Sequence, residues 1–177
     1  MTFNFDGNNE RTPPLPNVNG SVLLFSGETG ELKAILGGAE ITSWRTPAAS
    51  IVSTDHLFFK RSEEEEGNPS AKALAVVGCG IQGRYHAIGF CTLKSFAVVY
   101  LWNRTKGKAS DLLEELNDLR FQFKNRDVRI EICDSVEDCV KHADVIVTAT
   151  FTATPLFNRA MIKDNVHING MRILSLC

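Results

Sequence analysis

Gly78, Gly80 and Gly83 stand in a G-x-G-x-x-G spacing directly after an apolar run at residues 74–77. In a chain that turns from a strand into a helix, each glycine has its own use. Gly78 permits a tight turn, Gly80 lets backbone approach a pyrophosphate closely, and Gly83 lets helix and strand pack together. The N–H groups and dipole of the helix then face the anion. Cys79 lies inside this loop, where a small residue serves, and is read as filler rather than as a nucleophile.

About 20 residues after such glycines, a unit that binds NAD ends its second strand in Asp or Glu, which holds the ribose hydroxyls. Here the strand end reads Trp102-Asn103-Arg104-Thr105. It offers no carboxylate to repel a 2'-phosphate. Arg104 can pair with that phosphate, and Asn103 and Thr105 can donate hydrogen bonds. The expected cofactor is therefore NADP(H) rather than NAD(H). A later strand closes in Thr148-Ala149-Thr150-Phe151-Thr152, small hydroxylated residues at the edge where the nicotinamide half of a dinucleotide would lie. Threonines chosen for strand propensity would look the same. Arg45 is placed near the start of a helix, where a cation gains nothing from the dipole. It can clamp a substrate carboxylate or a cofactor phosphate, and it can equally serve a surface ion pair.

Other chemistries find little support. His56, His86, His142 and His167 share no metal-ligand spacing, and the five cysteines contain no C-x-x-C pair, so no metal is expected. A net charge of -2 supplies no basic field for nucleic acid. No apolar run reaches the roughly 18 residues that span a bilayer, and residues 1–6 do not resemble a signal peptide. A cytoplasmic protein with no membrane partner is expected.

The elements that must position these groups follow from pattern. Residues 1–20 are rich in turn formers and read as an irregular extended segment. Short apolar runs at 21–25 and 32–36 flank a glycine-bearing turn and predict a β-hairpin. Residues 42–59 suit a helix with Pro47 in its first turn. Residues 61–70, with four consecutive glutamates, Gly67 and Pro69, read as a linker. Beyond it, strands at 74–77, 97–102, 128–133 and 145–150 alternate with helices at 82–91, 106–119 and 136–142. That alternation predicts a parallel sheet covered on both faces. Ser135, three residues before Asp138, is a candidate helix cap. The expected organisation is an α/β protein: a partial α+β domain over 1–60, the linker, and a Rossmann-type doubly wound domain over 71–177.

Several stretches together resemble the ornithine cyclodeaminase and mu-crystallin family over about residues 2–169. They are residues 18–25, the Arg45-Thr46-Pro47-Ala48-Ala49-Ser50 segment, the glycine loop with Gln82, the Trp102 to Thr105 strand end, residues 143–148 and His167-Ile168-Asn169. Gln82 and the strand end are more similar to the mu-crystallin branch, which uses NADPH. The resemblance implies a homodimer in which a dimerisation and substrate domain adjoins a Rossmann domain. It implies that Arg45 contacts a substrate carboxylate, that Thr46 lies near the cofactor, and that Gly80, Ile81, Gln82 and Gly83 hold the pyrophosphate. The implied reaction is hydride transfer from NADPH to the C=N carbon of a cyclic ketimine carboxylate, with thyroid hormone as a further ligand of the branch. Two other readings are an NAD-using ornithine cyclodeaminase and a non-catalytic NADPH or thyroid-hormone binder. Family members carry a functional lysine before the matched region and a catalytic aspartate after it. Neither has a counterpart here, so a truncated form with an incomplete active site and an exposed apolar sheet is expected, and no catalytic residue is assigned.

Overall fold

A computed structural model of the chain describes residues 2–15, 18–60, 72–152 and 154–171. The expected linker at 61–70 lies outside the described residues. The contacts divide the chain into two compact units, Met1–Arg45 and Thr46–Cys177.

The first unit is built on an antiparallel sheet of β1 (Thr2–Asn4), β2 (Val18–Phe25) and β3 (Leu32–Gly37), in that order. The β2–β3 hairpin is present as expected. Ser26 N–H donates to Glu31 O at 2.8 Å across its turn, and Gly30 takes a φ of 70° that suits glycine. β1 corrects the irregular reading of the first twenty residues. Three residues carry no periodic signal of their own, and their strand state comes from pairing Phe3 with Asn19 of β2.

Helix α1 (Gly38–Thr54) begins directly after β3 and crosses the boundary between the units. It starts four residues earlier than the sequence pattern indicated, so Pro47 and Arg45 lie in the helix interior and not in its first turn. An interior proline removes one backbone hydrogen bond and crowds the carbonyl four residues back. The helix keeps it because Pro47, Ser50, Ile51 and Thr54 form a buried stripe at helical spacing. A π-helical turn at Asp55–Phe59 follows and buries Phe58 and Phe59.

The second unit is a doubly wound α/β domain. Its strands β4 (Lys72–Val77), β5 (Phe96–Trp102), β6 (Arg129–Ile132), β7 (Val145–Thr148) and β8 (His167–Gly170) form one parallel sheet in the order β6-β5-β4-β7-β8. Helices α2 (Ile81–Leu93), α3 (Lys106–Asp118) and α4 (Val136–Val140) make the crossovers. Strand β8 has no place in the sequence pattern, and its four residues are identified by pairing with β7, Val145 opposite His167.

β4 shows why the sheet is covered on both sides. Leu74 and Val76 join the cluster with Phe90, Val99 and Leu116, while Ala75 and Val77 join Cys139, Val140 and Ile146. All six β4 residues are buried, as a central parallel strand requires. Ser135 caps α4 as expected, accepting from the Asp138 N–H at 3.0 Å. No helix among the described residues is long and apolar enough to cross a membrane.

Candidate dinucleotide-binding site

In this strand order the chain path reverses between β4 and β7, and the crevice beyond their carboxyl ends is where open α/β sheets take ligands. A cavity of about 310 Å³ lies there. Its lining comes from the ends of three strands: Gly78 and Gly80 after β4, Trp102 to Thr105 with Lys108 after β5, and residues 149–152 with Leu156 after β7.

The glycine loop is shaped by close approaches. Gly78 has φ +103°, and a Cβ there would sit 2.6 Å from the Ala149 carbonyl oxygen. A Cβ on Gly83 would sit 1.8 Å from Gly78 O, so the helix can start against the loop only with glycine at that position. At Gly80, which lines the cavity, a Cβ would meet nothing within 4 Å. The space left open is on the ligand side. Gly80 is also the N-cap of α2 and makes no side-chain capping bond, and such a helix start favours an anion. A pyrophosphate fits this cradle.

The loop is braced from the neighbouring strand. Gly78 N–H donates to Trp102 O at 2.8 Å, and Cys79 N–H donates to Asn103 Oδ1 at 2.9 Å. Asn103 Nδ2 in turn donates to Thr105 O at 2.9 Å. Asn103 therefore holds the turn together with both ends of its amide. Burial pushes the Cys79 thiol up to about 12, so it remains protonated and is no nucleophile. The outer face of α2 is anchored by Arg84, whose Nε donates to Glu115 Oε2 of α3 at 2.6 Å.

His86 anchors the buried face of α2. Its Nδ1 lies 2.7 Å from Gln82 O, and because a carbonyl only accepts, Nδ1 carries the hydrogen. Nε2 then accepts from the Ser50 hydroxyl of α1 at 3.0 Å. Thr54 Oγ1 donates to Ser50 O at 2.7 Å and accepts from Asn169 Nδ2 of β8 at 3.0 Å. This buried chain ties the glycine-loop helix to α1 and the sheet edge. Burial lowers the His86 pKa, opposed by the Gln82 carbonyl bond, so the ring is neutral near pH 7.

Of the residues singled out from sequence, Gly78, Gly80, Asn103, Arg104, Thr105, Ala149 and Thr150 share the cavity wall. Ile81, Gln82 and Gly83 form the first turn of α2, and Thr148 ends β7 just before the lining begins. Arg45 is exposed on α1 within the first unit, and Thr46 is half-buried on the same helix. Trp102, Phe151 and Thr152 of the two strand-end runs line it as well, and the cavity adds Lys108 and Leu156. Lys108 stands four residues beyond Arg104, at the start of the following helix, and that closeness in sequence is the signal that could have found it. Among the described residues no cluster of metal ligands occurs.

A model described as "Ornithine cyclodeaminase/mu-crystallin family" matches residues 2–172. The chain belongs to this family. It is 32% identical over 157 residues to the ketimine reductase mu-crystallin of Rattus norvegicus, covering 89% of this chain and 44% of that protein. It is 31% identical over 154 residues to a Delta(1)-pyrroline-2-carboxylate reductase of Bacillus cereus, covering 87% of this chain and 42% of that protein. Among solved structures, the iminosuccinate reductase of Paracoccus denitrificans in complex with NAD+ superposes with a TM-score of 0.69 at 28% identity, covering 91% of this chain and 44% of that one. The chain thus spans less than half the length of these relatives.

Proposed function

We propose that this chain holds NADPH in the cavity beyond β4, β5 and β7, as part of a protein that reduces the C=N bond of cyclic ketimine carboxylates to saturated cyclic amino acids. Support for the chemistry comes from the relatives, which are named for reduction of imines. Bound there, the cofactor supplies a hydride to the imine carbon. The residues of the chain bind and orient. The first-turn amides of α2 hold the pyrophosphate, and residues 148–152 orient the nicotinamide half. The role of carboxylate ligand goes to Arg45, and Thr46 is assigned to the cofactor side.

NADPH is favoured over NADH by one observation: among the described residues, the cavity lining carries Arg104 and no carboxylate. An acidic residue at the strand end would select the ribose diol and repel a 2'-phosphate. The NAD+ in the Paracoccus denitrificans relative favours the second reading, NAD(H) in the same cavity. Titration of the chain with NADPH and NADH separates the two. Arg104→Asp is expected to reverse the preference, by about tenfold or more in relative affinity. Unchanged relative affinities in that variant would remove the assignment.

A further inference from the structure

We propose that Lys108 is a second specificity-determining residue of this cavity, forming with Arg104 a two-cation clamp for the 2'-phosphate of the adenosine half. The inference rests on the dinucleotide reading above and extends it to a residue that the G-x-G-x-x-G pattern does not include.

Three cations, Arg104, Lys106 and Lys108, fall within five residues at the junction of β5 and α3. Only one is neutralised: Lys106 Nζ lies 2.7 Å from Asp134 Oδ1. Among the described residues, neither Arg104 nor Lys108 takes part in an ion pair, and both line the cavity. Lys108 sits in the first turn of α3, whose N-cap Thr105 makes no side-chain capping bond. A cation there is opposed by the helix dipole, and an anion lying between the helix start and the ammonium removes that conflict.

The strand-end residue is a neutral amide and supplies no charge to pair with a 2'-phosphate. Asn103 is engaged at both ends of its amide, by the Cys79 N–H and by Thr105 O. Selection at the 2' position therefore passes to side chains further along the chain. A phosphate monoester carries between one and two negative charges near neutral pH, so a single guanidinium leaves part of it unbalanced. Arg104 supplies the planar fork, and Lys108, four residues on, supplies a flexible point charge.

The test uses the 177-residue chain with Lys108→Gln and Lys108→Arg, titrated with NADPH and NADH by nucleotide fluorescence, with thermal melts alongside. Lys108 is exposed, so neither variant should disturb folding. Lys108→Gln is expected to weaken NADPH binding about tenfold while NADH affinity stays within about twofold, and Lys108→Arg to keep the preference. Equal loss for both nucleotides would overturn the proposal, since Lys108 would then serve a part of the cofactor common to both. No change in either would overturn it as well. If the unsubstituted chain bound neither nucleotide at millimolar concentration, the dinucleotide reading itself would fall and the clamp with it.

Discussion

The two sheets of this chain use similar apolar residues to opposite effect. In the parallel sheet of the second unit, Leu74, Val76, Val99 and Ile146 are fully buried, because helices cover both faces. In the antiparallel sheet of the first unit, Leu23 is 51% and Ile35 is 66% exposed, and Leu24, Phe25 and Leu36 are exposed too. Successive residues of a strand point to opposite faces, so Leu23 and Leu24 leave apolar side chains exposed on both sides of this sheet. The contrast shows that strand sequence alone does not set burial. It depends on which elements are available to cover each face, and the βαβ crossovers bring their own helices to the parallel sheet while the hairpin brings none.

The largest effect that would sharpen this contrast is expected at the glycine loop. Gly83→Ala places a methyl group 1.8 Å from Gly78 O, so helix and loop must separate. A loss of about 3 kcal/mol in unfolding free energy is expected, with dinucleotide binding abolished. Urea unfolding together with a nucleotide titration measures both, and a variant that binds as the original does would contradict the packing described. A paired experiment comes next. Leu116→Ala in the parallel-sheet unit, at 0% exposure, should cost about 3 kcal/mol, while Leu23→Ala on the hairpin should change stability by less than about 0.5 kcal/mol. Equal costs would mean that Leu23 is covered in solution, and the comparison between the sheets would break.

The smallest expected effect is a pH dependence in the second unit. Burial holds the folded pKa of His86 below its usual 6.5, and that of His167 as well. The unfolded chain therefore binds protons first. The stability these residues contribute is full above about pH 6.5 and is lost as pH falls through that value toward the folded pKa. The urea midpoint should be lower at about pH 5.5 than at about pH 7.5; a higher midpoint at the acid end would contradict the neutral, hydrogen-bonded ring.

The order of residues was enough to read the Rossmann-type alternation and the glycine loop, because both depend on local signals. Apolar runs of strand length, the Ser135 cap and the three-glycine spacing act within a few residues of one another. The sequence pattern misplaces the start of α1 for the same reason. A local rule puts proline in a first turn, yet Pro47 belongs to a buried stripe whose partners come from elsewhere in the chain. Strands β1 and β8 carry too few residues for a period and exist through pairing.

Some features were settled only when distant segments met. Asn103, a candidate donor to the cofactor, also braces the loop, its Oδ1 accepting from the Cys79 N–H and its Nδ2 donating to Thr105 O. The chain from His86 through Ser50 and Thr54 to Asn169 spans more than a hundred residues of sequence, so no spacing rule could reveal it. Lys108 joined Arg104 at the cavity while its neighbour Lys106 turned to Asp134, a choice made by where each side chain leaves the first turn of α3. Backbone conformation answers to near neighbours, whereas the partner of a charge or an amide depends on which remote surface the fold brings beside it.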